Sequence, residues 1–268
     1  MAWLFLHTLV EWVTPVLLPA AIVLGFRLTL ERLQPMTAPR GDTGALNVLA
    51  CLIWNASNRA FSPIPAILLM LLMNHLGSGL IELPDHGPGM IAGFIAFALC
   101  MDLSQYLFHR AEHAIPALWA LHSLHHSDRH FDASTGLLHH WGAGVVAMIT
   151  TSVPLAVVFK APPVDMALWA LINNHAYLVH ANLKWDFGRF WWLLTSPVYH
   201  RTHHSAQPEH FDSNFSGLFP VWDLIFGTAR RVDLAALPAV GLGEGSEPRS
   251  ILDIVLWTQR RRNAVHPS

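Results

Sequence analysis

The chain has 268 residues, 53% of them hydrophobic and only 13% charged, with a mean hydropathy of +0.37. A soluble domain carries roughly 25% charged residues, so this composition excludes an ordinary water-soluble globule, and its hydrophobicity excludes disorder. A net charge of −2 leaves no basic field for nucleic acid, Cys51 and Cys100 lie in apolar runs and cannot make a disulfide framework, and the outlier is histidine, at 18 residues.

In chain order, Trp3 to Phe26 is long and apolar enough to cross about 30 Å of hydrocarbon. Met1 to Leu6 has no basic residue, so this segment reads as a retained helix and not as a secretory signal. Asn47 to Met73 is interrupted by Asn55, Ser57, Asn58 and Arg59 and carries Pro63 and Pro65. It reads as a kinked helix or as a short helix preceded by an interfacial piece. Gly89 to Phe108 is a clear span with Asp102 as its one formal charge. Trp141 to Phe159 is another, and Val164 to His180 returns after the Ala161-Pro162-Pro163 turn. Asp233 to Glu247 is rich in Gly, Ala and Pro and reads as a loop. Its Gly241, Gly243 and Gly245 lack the strand and helix that a dinucleotide loop needs on either side.

If the spans alternate, every Lys and Arg except Arg59 and Lys160 falls on the side that holds the histidine-rich segments. The positive-inside rule makes that side cytoplasmic, and Trp185, Trp191 and Trp192 then resemble an interfacial belt. The expected fold is all-α: a multi-pass membrane helical bundle with a cytoplasmic-side, histidine-rich helical cap. The expected organisation is an N-terminal transmembrane region (1–88), a catalytic domain (89–232) and a C-terminal cytoplasmic tail (233–268).

Three histidine clusters follow helical spacing. His109 and His113 are i, i+4; His122, His125 and His126 are i, i+3, i+4; His200, His203 and His204 repeat that pattern. Such offsets share one helix face. Neutral imidazole suits iron, zinc, copper and nickel, and eight of them exceed what one tetrahedral zinc can use. Two metals sharing eight or more nitrogens fit better. A competing reading takes His109-Arg110-Ala111-Glu112-His113 as an inverted zinc-protease signature with Glu112 as general base. It makes the chain a membrane zinc hydrolase and leaves the other six clustered histidines without a role; otherwise Glu112 is a partner of Arg110, Arg129 or a ligand's ring N–H. Axial haem ligands should face each other from mid-span, and carriers place ligands near the midplane. These histidines sit at span ends, which disfavours both.

The run Asp102, Tyr106, His109-Arg110, His113, Leu118-Trp119, His122, His125-His126-Ser127 resembles the core of the fatty acid hydroxylase/sterol desaturase superfamily. Ser196-Pro197, His200-Arg201, His203-His204, Asp212, Asn214, Trp222-Asp223 and Phe226-Gly227-Thr228 resemble its closing pattern. The resemblance implies an integral-membrane oxygenase using O₂ and two iron ions, with zinc able to substitute in a purified sample. Carried over by position, the ligands are His109, His113, His122, His125, His126, His180, His200, His203 and His204. The family often places a histidine and an acid between the second and third clusters. Here that stretch offers His140, with His139 as its rival, and Ala143 stands where the acid would be. Some members pair the histidine matching His180 with another four residues earlier; that position is Ala176, and His175 is one residue off the register.

With all-nitrogen ligation, nearby carboxylates would fix each imidazole by accepting its other N–H. Asp102, Asp128, Asp212 and Asp223 are the candidates, Asp128 being equally readable as a helix cap. The implied chemistry is hydroxylation or desaturation of a C–H bond in a lipid: fatty acyl chain, sterol or related. No flavin, nicotinamide or haem-domain motif is visible, so the electrons are expected from an external reductase with a ferredoxin or a b-type cytochrome. Arg230, Arg231 and Arg260 to Arg262 could dock an acidic donor, although topology alone demands basic residues there.

Overall fold

The computed structural model describes residues 21, 23, 25, 29–38, 44–76, 79–231 and 234–260. The expected span Trp3–Phe26, apart from three isolated positions, and the basic pair Arg261–Arg262 lie outside the described residues. The described chain is mostly helical, and its one sheet pairs two-residue strands in parallel, β1 (Ile81–Glu82) with β2 (Phe159–Lys160).

A one-turn helix, α1 (Leu30–Leu33), precedes α2 (Ala45–Phe61). Helix α3 (Pro63–Leu76) continues α2 after a 41° bend at Ser62, where two prolines remove N–H donors just beyond the break. Helix α4 (Gly87–Ala114) runs unbroken for 28 residues. It stops at Ile115, forced into extended backbone by Pro116, and Pro116 then opens α5 (Pro116–His126) at a first-turn position that needs no donor. A 3₁₀ turn over Ala133–Leu137 follows, capped by Asp132, whose side chain accepts from Ser134 N.

Helix α6 (Ala143–Val158) carries a π-helical stretch at Met148–Ser152, directly before Pro154, which cannot donate to the regular ladder. Helices α7 (Pro163–Asn173) and α8 (His175–Val179) are separated at Asn174. Both expected spans in this region are therefore shorter than their apolar runs: α6 covers roughly 24 Å and α7 roughly 16 Å at 1.5 Å per residue. Among the described residues α4 is long and apolar enough to cross a membrane, and the bent pair α2–α3 passes the same test if it is one span.

Helix α9 (Pro197–His203) carries the last histidine cluster, and α10 (Val221–Phe226) follows it. The segment expected to be a loop and cytoplasmic tail folds back on α9 and the residues just after it. Val240 bridges to Ser205, Ala206 N donates to Ala239 O, and Arg201 donates to Pro238 O. Beyond the glycine-rich loop, α11 (Ile251–Val255) and α12 (Trp257–Arg260) send Ile254 and Trp257 into a core with Ala50, Leu124 and Leu138. Trp257 Nε1 donates to Ser123 Oγ, 2.9 Å away, on the helix that carries the second histidine cluster.

Candidate metal centre

Helix α4 delivers His109 and His113 from its last turns. Helix α5 delivers His122, His125 and His126, the last turn of α8 ends at His180, and α9 delivers His200 and His203 with His204 at its C-cap. Ser196 caps α9 through Tyr199 N and Pro197 sets its first turn, so this seven-residue helix is fixed at its start.

These nine imidazoles meet in two adjoining groups. His109, His113, His122, His126 and His203 form one, and His125, His180, His200 and His204 the other; within each group the ligand atoms lie within 4.8 Å of one another. The grouping follows helix geometry. Residues i and i+4 are about 40° apart around a helix, whereas i+3 falls about 60° to the other side of i. Accordingly His122 and His126 stay together while His125 turns to the second group, and His200 and His204 stay together while His203 turns to the first. The two groups touch where the His126 and His204 rings stack, 4.2 Å apart.

The spacing suits metal ligation. His122 Nε2 is 3.1 Å from both His109 Nε2 and His126 Nε2, and His113 Nε2 is 3.2 Å from His126 Nε2. His180 Nε2 is 3.0 Å from His125 Nε2 and from His200 Nε2. Nitrogens roughly 2.1 Å from a shared ion are separated by about 3.0 Å at right angles and about 3.4 Å at tetrahedral angles. The opposite ring nitrogens are tied outward. Nδ1 of His109 donates to Phe215 O, of His203 to Ser213 O, of His125 to Leu138 O and of His180 to Ala176 O, which leaves the Nε2 lone pairs facing inward. Nε2 of His203 and of His204 is buried with no hydrogen-bond partner in the protein, an arrangement costly for a polar atom unless an ion satisfies it.

A model of the fatty acid hydroxylase family matches residues 94–228, a stretch that contains all nine histidines and amounts to half of the chain. The chain belongs to the fatty acid hydroxylase family. An alkylglycerol monooxygenase from Danio rerio is 35% identical over 136 residues, covering 50% of this chain and 30% of the relative. Its counterpart from Xenopus tropicalis is 31% identical over 150 residues, covering 56% and 32%. An ornithine lipid hydroxylase from Rhizobium tropici is 27% identical over 146 residues, covering 54% and 44%. The chain thus spans about a third of the length of the alkylglycerol monooxygenases it matches. No solved structure matches it.

The candidate carboxylates are held chiefly by backbone and side-chain donors. Asp102 accepts from Leu218 N, Phe219 N and Trp222 Nε1, and Asp223 from Phe215 N, Ser216 N and Thr228 Oγ1. Neither touches a histidine. Together they clamp the loop whose carbonyls hold His109 and His203. Asp128 accepts from Asn47 Nδ2, Thr135 Oγ1 and His130 N, tying α2 and the 3₁₀ turn to the end of α5. Asp212 faces a clustered ring, its Oδ1 3.7 Å from His113 Nδ1. Glu112 is buried, with Oε2 3.4 Å from Nδ1 of the clustered His122. It thus stands where a partner of a ligand's ring N–H would, the other role its sequence position leaves open.

His140 and His175 lie in neither group. His140 Nδ1 accepts from Gly142 N and its ring faces Trp141; His175 Nε2 donates to Thr195 O. His139 is the one that turns inward, stacked on His125 at 4.7 Å and 10° and standing 5.8 Å from Trp54. The 3₁₀ turn that aims it lies close against His180: a Cβ on Gly136 would be 3.2 Å from His180 Nδ1. Burial, reinforced by the neighbouring imidazoles, holds His125, His126, His200, His203 and His204 well below the ordinary imidazole value, and burial holds His139 at about 4. Neutral, inward-facing rings are the form that binds a cation.

Proposed function

We propose that the chain is an integral-membrane, O₂-dependent di-iron oxidoreductase that hydroxylates a C–H bond of a lipid. The observation that carries this reading is the pair of five- and four-nitrogen groups with inward Nε2 atoms. His109, His113, His122, His126 and His203 would hold one ion, and His125, His180, His200 and His204 the other. Iron bound there supplies the oxygen chemistry needed for an unactivated C–H bond. The chain's own part is positional. Backbone carbonyls orient the rings, Glu112 sets the outer nitrogen of His122, and Trp119, Phe131 and Phe215 pack against the clusters and exclude water. Hydroxylation is favoured over desaturation by relatives that are a monooxygenase and a lipid hydroxylase in name. Electrons would come from an external reductase with a ferredoxin or a b-type cytochrome. A zinc hydrolase is disfavoured, because Glu112 is directed at His122 and four further imidazoles share that ring's group.

Metal analysis combined with ¹⁸O₂ labelling tests the reading. The purified chain should hold two iron ions, and a lipid hydroxylated by it with an electron donor should carry ¹⁸O. One zinc per chain, lost in His109→Ala but kept in His203→Ala, would refute it.

A further inference from the structure

The histidine cap presents an apolar face that no helix of the described chain covers. Phe190, Trp192, Leu193 and Leu194, together with Leu224, Ile225 and Phe226 of α10, are each 36–62% exposed. The two stretches are one surface: Thr195 N donates to Leu218 O, Thr195 Oγ1 donates to Ser216 O, and Asp102 on α4 anchors Leu218 and Phe219 just ahead of α10 and Trp222 in its first turn. That surface joins α4 at a definite height. Tyr106 stacks on Phe226 at 5.3 Å and shares a 2.9 Å hydrogen bond with Thr228, while the neighbouring Leu107 is exposed. Counted from Gly87, the twentieth residue of α4 is Tyr106, and 20 helical residues measure about 30 Å, one hydrocarbon thickness. With one edge of the hydrocarbon set at Gly87, Phe226 stands level with the other edge.

The rim of this face is basic. Lys184, Arg189, Arg230 and Arg231 are exposed around it. The Arg189 guanidinium lies 4.7 Å from the Phe190 ring centroid and that of Arg231 5.2 Å from the Trp191 centroid, with Asp186 3.7 Å from Arg231. Apolar and aromatic side chains ringed by Arg at the height of a membrane boundary have the composition of an element lying in the bilayer interface.

We propose that Phe190–Leu194 and the exposed side of α10 form a second, non-spanning contact with an anionic bilayer, their arginines at the level of the lipid phosphates. The inference rests on reading α4 as a membrane span. It places the leaflet beside Phe215, which packs on His109, His113 and His203, so the first histidine group faces lipid across a single layer of aromatic side chains.

Single labels test this. In a Cys100→Ala background, with Cys51 buried, an environment-sensitive fluorophore is attached through Leu193→Cys, Ile225→Cys, Ile95→Cys on α4, or Glu244→Cys on the opposing loop. Each protein is reconstituted in phosphatidylcholine vesicles with or without phosphatidylglycerol. Labels at 193 and 225 should be quenched by nitroxide lipids and protected several-fold from iodide, whereas the label at 244 should show the reverse. Arg189→Gln, Arg230→Gln and Arg231→Gln together should abolish the added protection that phosphatidylglycerol gives. Free iodide access at 193 and 225, with Ile95 still quenched from the lipid, overturns the contact and spares the span. Iodide access at Ile95 as well removes both.

Discussion

Glu112→Gln isolates the charge that distinguishes His122 from the rings held by backbone carbonyls. The glutamate is 8% exposed, and its Oε2 lies 3.4 Å from His122 Nδ1, whose Nε2 is 3.1 Å from two other inward nitrogens. Glutamine keeps the size and an accepting oxygen but removes the negative charge that makes the ring a stronger donor to a cation. Losing such an outer partner typically weakens metal affinity tenfold to hundredfold, about 1.4–2.7 kcal/mol. The loss should fall on the five-nitrogen group. The rings of the four-nitrogen group whose outer partners are known, His125 and His180, rest on the carbonyls of Leu138 and Ala176, which the substitution leaves alone. Equilibrium dialysis against a competing chelator reads both affinities without turnover. Unchanged binding, or equal weakening at both groups, would refute the assignment of Glu112 to His122.

His126→Ala removes a ring in contact with His113, His122 and His204 and should cost at least one metal per chain, whereas His140→Ala and His175→Ala should retain both; metal analysis of the three proteins decides. Gly144→Ala would drive a Cβ into the side-chain amide of Asn58, an overpacking worth about 1–3 kcal/mol. Thermal unfolding should show the loss, and adding Asn58→Ala should restore most of it. The five rings held well below 6.5 by burial are neutral in the folded chain, so on acidification the unfolded chain takes up protons first. The metal-free protein should keep full stability above pH 6.5 and lose it progressively below, a trend that unfolding temperatures at stepped pH will reveal or contradict.

The i, i+4 spacing of His109 and His113 and the H-x-x-H-H spacing of the other two clusters carried all three into view from the sequence, because a 3.6-residue period converts offsets directly into direction. Their division between two groups was latent in the same offsets, but required knowing that α5 and α9 face one another. The outer partners were hidden for a different reason. Most are backbone carbonyls, such as Phe215 O and Ser213 O, and residue identity carries no signal for a carbonyl's direction. The conspicuous acids Asp102 and Asp223 act one step removed, on the loop that supplies those carbonyls. His139 and His140 are adjacent and chemically identical; a 3₁₀ turn capped by Asp132 decides which one points inward. The apolar run overstated helix length most at α7, which the break at Asn174 ends, whereas α6 passes through Pro154 by way of its π-helical stretch. The composition of Asp233–Glu247 concealed Ile254 and Trp257, which anchor the end of the described chain.

Because His125 and His203 each leave their own helix's pair to serve the other group, α5 and α9 are interlaced and neither cage can close alone. If both cages hold metal as proposed, filling one would steady both helices and so favour filling of its neighbour. Metal supplied in less than full measure should then divide the population into empty and doubly filled chains, with few singly filled ones between.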